Sequence, residues 1–156
     1  MDIKGTSNGC RSRKMKNWQK VVAWLCVAGY VFAILYKTVL IRSAADVYNY
    51  IFLPFWSYAA IIDGRETLIK EHILNVALFI PLGAFLWSSL KQKLWWKALL
   101  FGCAVSISIE ILQLLLKRGL CELDDVFHNT LGCLIGYGII SLMALLWRKV
   151  TDSKKC

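Results

Sequence analysis

The chain lacks most of the features on which soluble enzymes are built. No glycine-rich loop of the phosphate-cradling kind occurs at a strand–helix junction, so a nucleotide or acyl-CoA phosphate has no seat. No two of the six cysteines have the close spacing of a zinc site. There are only two histidines, His72 and His128, so no metal site and no cofactor are expected. No serine or cysteine stands beside a base, which argues against a covalent nucleophile. Acidic residues are scarce: 10 Asp and Glu against 19 Lys and Arg, a net charge of +9. No internal repeat is present, and the chain reads as one domain.

What it does have is long apolar stretches. They cover about 21–41, 73–90, 95–116 and 126–147, the first interrupted by Lys37. At about 1.5 Å of helical rise per residue, each crosses a hydrocarbon core of about 30 Å. In lipid each must be helical, because every backbone polar group has to be satisfied within the segment. The fold class is therefore all-α: a polytopic membrane protein with a four-transmembrane-helix bundle over 18–150. Residues 1–17 and 151–156 read as polar tails, the first of them disordered. The first stretch is long and no small-x-small site follows it, so it is a retained span rather than a cleaved signal. Ala23-Trp24-Leu25-Cys26 is a poor lipid-attachment site, because a bulky leucine precedes the cysteine.

The cations orient the bundle. Thirteen belong to one side: Lys4, Arg11, Arg13, Lys14, Lys16, Lys20, Lys91, Lys93, Lys97, Arg148, Lys149, Lys154 and Lys155. Five belong to the other: Arg42, Arg65, Lys70, Lys117 and Arg118. This bias predicts a bacterial plasma-membrane protein with both termini cytoplasmic and the loops 42–72 and 117–125 outside. The same distribution excludes nucleic acid as a partner, because the charge sits next to helix ends and serves topology and anionic headgroups. Only Cys121 falls outside, so no external intrachain disulfide is expected. Cys26, Cys103 and Cys133 act as small packing residues in the helices.

Polar residues inside the spans gather toward the outer half. Lys37, Asn75, Glu110, Gln113, Asp124, Asp125, His128 and Asn129 all lie there. Ser106, Glu110, Gln113 and Lys117 share one face of the third helix at i, i+4, i+7, i+11. Asp125, Asn129, Gly132 and Gly136 repeat that spacing on the fourth. Gly132-x-x-x-Gly136 allows close backbone approach. These stripes predict antiparallel packing of the fourth helix on the third, with Asn129 reaching toward Glu110 and Gln113. Asp124 and Asp125 also stand where they can cap the fourth helix. Glu110 needs a proton or a cation, from Lys37, Arg42, Lys117 or Arg118. In the outer loop, the aromatic segment 46–58 reads as interfacial or partly re-entrant, and 63–66 as a turn leading into the second helix. Pro81, in Phe79-Ile80-Pro81-Leu82-Gly83, predicts a kink.

Several of these pieces occur together in one order. They are Leu35-Tyr36-Lys37-Thr38, Leu53-Pro54-Phe55, Asn75 through Gly83, Glu110-Ile111-Leu112-Gln113, Arg118, and Asp124 through Gly136. On these the chain resembles the VanZ-like family of small bacterial membrane proteins, over about residues 35–140. Gly119-Leu120-Cys121-Glu122-Leu123 departs from the shorter or more polar link usual there. The resemblance implies a connection with low-level resistance to the glycopeptide teicoplanin. Some members are labelled phosphotransbutyrylase-like, but no acyl-CoA or phosphate loop exists here.

The leading reading is a non-enzymatic envelope protein whose outward polar pocket engages an amphiphile, either a lipid-linked cell-wall precursor or a lipoglycopeptide. Its ligand-binding candidates are Lys37, Asn75, Glu110, Gln113, Arg118, Asp125 and Asn129, with Pro81, Gly83, Gly132 and Gly136 structural; membrane lipids are partners. The rival is a membrane-embedded enzyme acting on a lipid or glycan headgroup. There Glu110 or His128 is the acid–base group, and Asp124, Asp125 and Arg118 orient the substrate. A small transporter or partner subunit is the third reading.

Overall fold

The computed structural model describes residues 17–89 and 94–153. The tail 1–16, Lys91, Lys93 and the last three residues lie outside the described residues. Eight elements follow one another among the described residues. Helix α1 (Asn17–Leu35) continues into a π-helical turn (Tyr36–Leu40). Strand β1 (Tyr50–Ile51), α2 (Trp56–Ile62), α3 (Thr67–Ser89), α4 (Trp95–Leu115), β2 (Cys121–Glu122) and α5 (Leu123–Ser153) complete the order.

Four helical segments are long and apolar enough to span a membrane: Val21–Leu40, Thr67–Ser89, Trp95–Leu115 and Leu123–Ser153. Only 11–33% of each is buried within the protein. Large apolar side chains such as Phe32, Leu100, Leu142, Met143 and Leu146 point outward instead. Such surface is incompatible with water over so much of a small chain and is the surface a bilayer covers. The protein is an all-α polytopic bundle. Its helices overrun the apolar stretches: α3 starts six residues earlier than expected, and α5 runs from Leu123 to Ser153.

The bundle is built on α3 and α5, which run parallel and touch backbone to backbone. A Cβ on Gly132 would lie 2.1 Å from the Val76 carbonyl oxygen, and one on Gly136 would lie 1.9 Å from that of Ile80. Gly83 returns the contact, its Cβ position being 1.8 Å from the Cys133 carbonyl oxygen. The glycine pair therefore faces α3 and not the antiparallel α4 that the polar stripes pointed to. Asn129 and Cys133, on the adjoining face of α5, are what meet α4. Asn129 donates to Ser106, and the Cys133 thiol to the Ala98 carbonyl. With two helices flanking α5, its polar and its small residues serve different neighbours. Phe79, Leu82 and Leu86 of α3 fill the centre with Val27 and Ile34 of α1 and Ile109 of α4. Helix α3 continues through Pro81, whose missing N–H leaves the Ala77 carbonyl without its intrahelical donor.

At the end opposite the termini, the two loops are joined. β1 and β2 form a parallel two-residue pair, Tyr50 opposite Cys121 and Ile51 opposite Glu122. Ala45 N–H donates to the Lys117 carbonyl at 2.7 Å. The partly structured loop expected over 42–72 thus contains a strand, a short helix and the first turns of α3.

Candidate functional site

Glu110, Asp124 and Asp125 sit at the loop end, and each has a defined partner. Asp124 is 1% exposed. Its Oδ1 accepts from the Phe55 amide at 2.6 Å, and its Oδ2 from the Ser57 amide at 3.1 Å and from the Ser57 hydroxyl. The first amides of a helix have no intrahelical acceptor. Phe55, at the N-cap of α2 with φ 60°, has no polar side chain to supply one. Asp124 fills that role from α5, across nearly seventy residues. It therefore anchors α2 to the bundle and does not cap its own helix. Asp125 turns the other way, accepting from Asn75 Nδ2 at 2.7 Å and thereby joining α5 to α3.

Glu110 is 5% exposed and accepts from the Glu122 amide at 2.9 Å through Oε2. Among the four candidate cations, Arg42 is the one that acts on Glu110 and Asp125. It lies across Gly119, where a Cβ would be 2.5 Å from its Nη1 and where φ is 101°. The glycine in the atypical link is thus the space the guanidinium occupies. Glu122, at the mouth of this cluster, has its carboxyl pushed up to about 7, chiefly by burial and next by the charge of Asp125. Burial, and the same acids, push the neighbouring Cys121 thiol up to about 11.

The other ligand candidates close the end of the first span. The last carbonyls of a helix lack donors. Gln113 Nε2 donates to the Thr38 carbonyl at 3.1 Å, and Arg118 Nη1 to that of Leu40 at 2.7 Å. Lys117 Nζ donates to the Asp46 carbonyl at 3.1 Å and lies 4.6 Å from the Tyr48 ring centroid. Lys37 is exposed, one turn from this junction. Gln113, Arg118 and Lys117 are consumed in holding the loops, and Asn129, expected near Glu110, is taken by Ser106 at 2.8 Å. The Oε1 of Gln113 and the Oδ1 of Asn129 are buried without a partner among the described residues.

A second cluster was not visible as a unit. His72 of α3 and His128 of α5 stack with ring centroids 4.0 Å apart and an 18° interplanar angle. Tyr58 of α2 lies against both rings, and its hydroxyl is 2.8 Å from His128 Nε2. These three rings line an open groove of about 560 Å³. Its walls are Ile61 of α2 and Ile69, Ile73, Val76, Ala77 and Ile80 of α3. Two residues of this cluster, His72 and Tyr58, were absent from the expected site. One signal existed in the sequence: Ile69, His72, Ile73, Val76 and Ile80 follow i, i+3, i+4, i+7, i+11, one apolar helix face carrying a single histidine. What it faced depended on where α2 and α5 lay. Among the described residues no hydrogen bond joins Glu110 to His128. Glu110 is bound to β2, and His128 to α2.

Four helices long and apolar enough to span, with polar groups collected at one end, define a small polytopic membrane protein. The chain belongs to the VanZ/LLP1 family, matching it over residues 19–145. It is similar to Protein VanZ of Enterococcus faecium, with 32% identity over 73 residues. That match covers 47% of this chain and 45% of the relative, so less than half of either protein is aligned. No solved structure matches the chain.

Proposed function

We propose that this protein is a multi-pass component of the bacterial plasma membrane, both termini cytoplasmic, whose loop end faces outward and engages an amphiphilic ligand. The ligand class is a lipid-linked cell-wall precursor or a lipoglycopeptide drug, and the consequence is resistance of the teicoplanin type. One observation carries this reading: the polar groups of the spans lie at one end, above an apolar groove and beside the aromatic loop 46–58. An amphiphile needs that juxtaposition at headgroup depth. The cation bias supports the outward orientation, and the likeness to Protein VanZ supports the link to resistance.

Expression in a susceptible host, with protection compared between teicoplanin and vancomycin, tests the reading. Teicoplanin carries an acyl chain and vancomycin does not, so protection is expected against the first only. Equal protection against both, or none against either, removes the drug-linked version.

The Tyr58–His128 hydrogen bond favours a second reading, a membrane-embedded enzyme in which His128 exchanges a proton with a lipid or glycan headgroup. Glu110 is the less suitable acid–base group, since its Oε2 is bound to the Glu122 amide. A His128→Gln variant that keeps full protection argues against this reading.

A further inference from the structure

The groove between α2, α3 and α5 has hydrocarbon walls interrupted by three polar rings, His72, His128 and Tyr58. Its volume of about 560 Å³ falls within the roughly 300–1,000 Å³ of small-ligand clefts. Beyond His72, from Ile73 to Ile80, the wall follows α3 for about 10 Å at the helical rise toward the middle of the span. It opens on the surface that lipid covers. The shape suits one extended hydrocarbon chain.

The three rings are selective in their chemistry. Three acids of this region are turned inward and bound: Asp124 to α2, Asp125 to Asn75, and Glu110 to the Glu122 amide. Glu71, beside His72, is exposed and does not line the groove. What faces the groove is His72, His128 and Tyr58. The His72 ring is half-buried and makes ring contacts but no hydrogen bond among the described residues. Imidazole N–H and phenol O–H groups donate, and an imidazole can also take up positive charge. The Tyr58 hydroxyl and His128 Nε2 are bonded to each other, so the open donors are the His72 ring and, where His128 Nε2 donates to it, the Tyr58 hydroxyl. Donors beside an apolar wall complement an anion carried on a chain.

We propose that this groove seats a membrane lipid with a phosphate head, its chain along Ile73–Ile80 and its phosphate on His72 beside the Tyr58–His128 pair. The assignment rests on the reading of the loop end as a ligand-engaging face and specifies the ligand's head and the place of its tail.

The test uses the full-length protein in nanodiscs of a phosphate-free galactolipid, with a dodecyl phosphate probe bearing a dansyl group at its tail. Energy transfer from the tryptophans is read while unlabelled competitors are added. Dodecyl phosphate is expected to displace the probe saturably, whereas dodecyl maltoside and inorganic phosphate leave it in place. Ala77→Trp fills the groove from an exposed position and is expected to abolish displaceable binding. His72→Phe keeps the ring stack but removes the donor, and is expected to weaken binding at least tenfold. Both variants are expected to melt like the parent. The proposal is overturned if dodecyl maltoside competes as well as dodecyl phosphate, which would mean the head is not read. Competition by inorganic phosphate alone overturns the lipid source, and parent-like binding by Ala77→Trp or by His72→Phe overturns the placement. Teicoplanin protection by the Ala77→Trp strain separates this inference from the wider reading. Protection retained while binding is lost removes the resistance link and leaves the groove's ligand standing. Protection by the parent without displaceable phosphate-lipid binding removes the groove assignment alone.

Discussion

The contact between α3 and α5 can be tested with the smallest possible perturbation. Gly132→Ala adds one methyl group, and in α5 it would lie 2.1 Å from the Val76 carbonyl oxygen, 2.9 Å from its carbon and 3.0 Å from its Cα. All three obstacles are backbone atoms, so no rotamer change relieves them and the helices must separate. Gly138 lies six residues further along the same helix, and a Cβ there meets nothing within 4 Å. Both substitutions gain the same intrinsic helix preference of about 1 kcal/mol for alanine over glycine. That gain cancels in the comparison, leaving the overpacking term of about 1–3 kcal/mol. Gly138→Ala is therefore expected to match or exceed the parent, and Gly132→Ala to fall about 1–3 kcal/mol below Gly138→Ala. The assay is reversible unfolding in mixed micelles by increasing SDS fraction, followed by tryptophan fluorescence. If the two variants unfold together, α5 does not approach α3 through Gly132, and the bundle described above is wrong at its centre.

Three further outcomes follow from the loop end. Cys121 is 5% exposed and its thiol is pushed up to about 11, so an impermeant maleimide should leave it unlabelled in intact cells at pH 7.5. A Ser43→Cys variant, at an exposed loop position, should label if that end faces out, and its silence would invert the orientation. Burial raises the Glu122 carboxyl from 4.5 to about 7, so its protonated form favours the fold. Its contribution to stability is full below about 4.5, is lost as pH rises through about 7 and is flat above. Glu122→Gln should reduce the fall in melting temperature between pH 5 and 8, and an unchanged profile would contradict the burial of this carboxyl. Asp124→Ala should release α2, since it removes the acceptor for the Phe55 and Ser57 amides and the Ser57 hydroxyl. A buried donor left unsatisfied costs about 1–3 kcal/mol. Limited proteolysis between Phe52 and Arg65 is expected to accelerate, and a parent-like pattern would show that α2 is held by something else.

The spans, the all-α class and the gathering of polar groups toward one end were legible in the sequence, because each follows from a one-dimensional quantity. Apolar run length against bilayer thickness identifies a span, and helical periodicity tells which residues share a face. Family membership was legible too, since it rests on ordered short segments. Neighbour assignment was not, because a helix face says which residues look the same way and not which helix they look at. Asn129 and Gly132 belong to one stripe of α5, yet the first meets Ser106 of α4 and the second meets the backbone of α3. Gln113 and Arg118 looked like ligand groups because polar residues in lipid are costly. Only the folded chain shows their cost offset by the carbonyls of Thr38 and Leu40. His72 and His128 lie 56 positions apart and have no local pattern in common. Their 4.0 Å stack exists because parallel α3 and α5 are brought together by glycines that begin one helical turn below the rings. Local composition determined that this chain crosses a membrane and keeps its polar chemistry at one end; long-range helix packing decided which of those polar residues hold the fold and which face the groove.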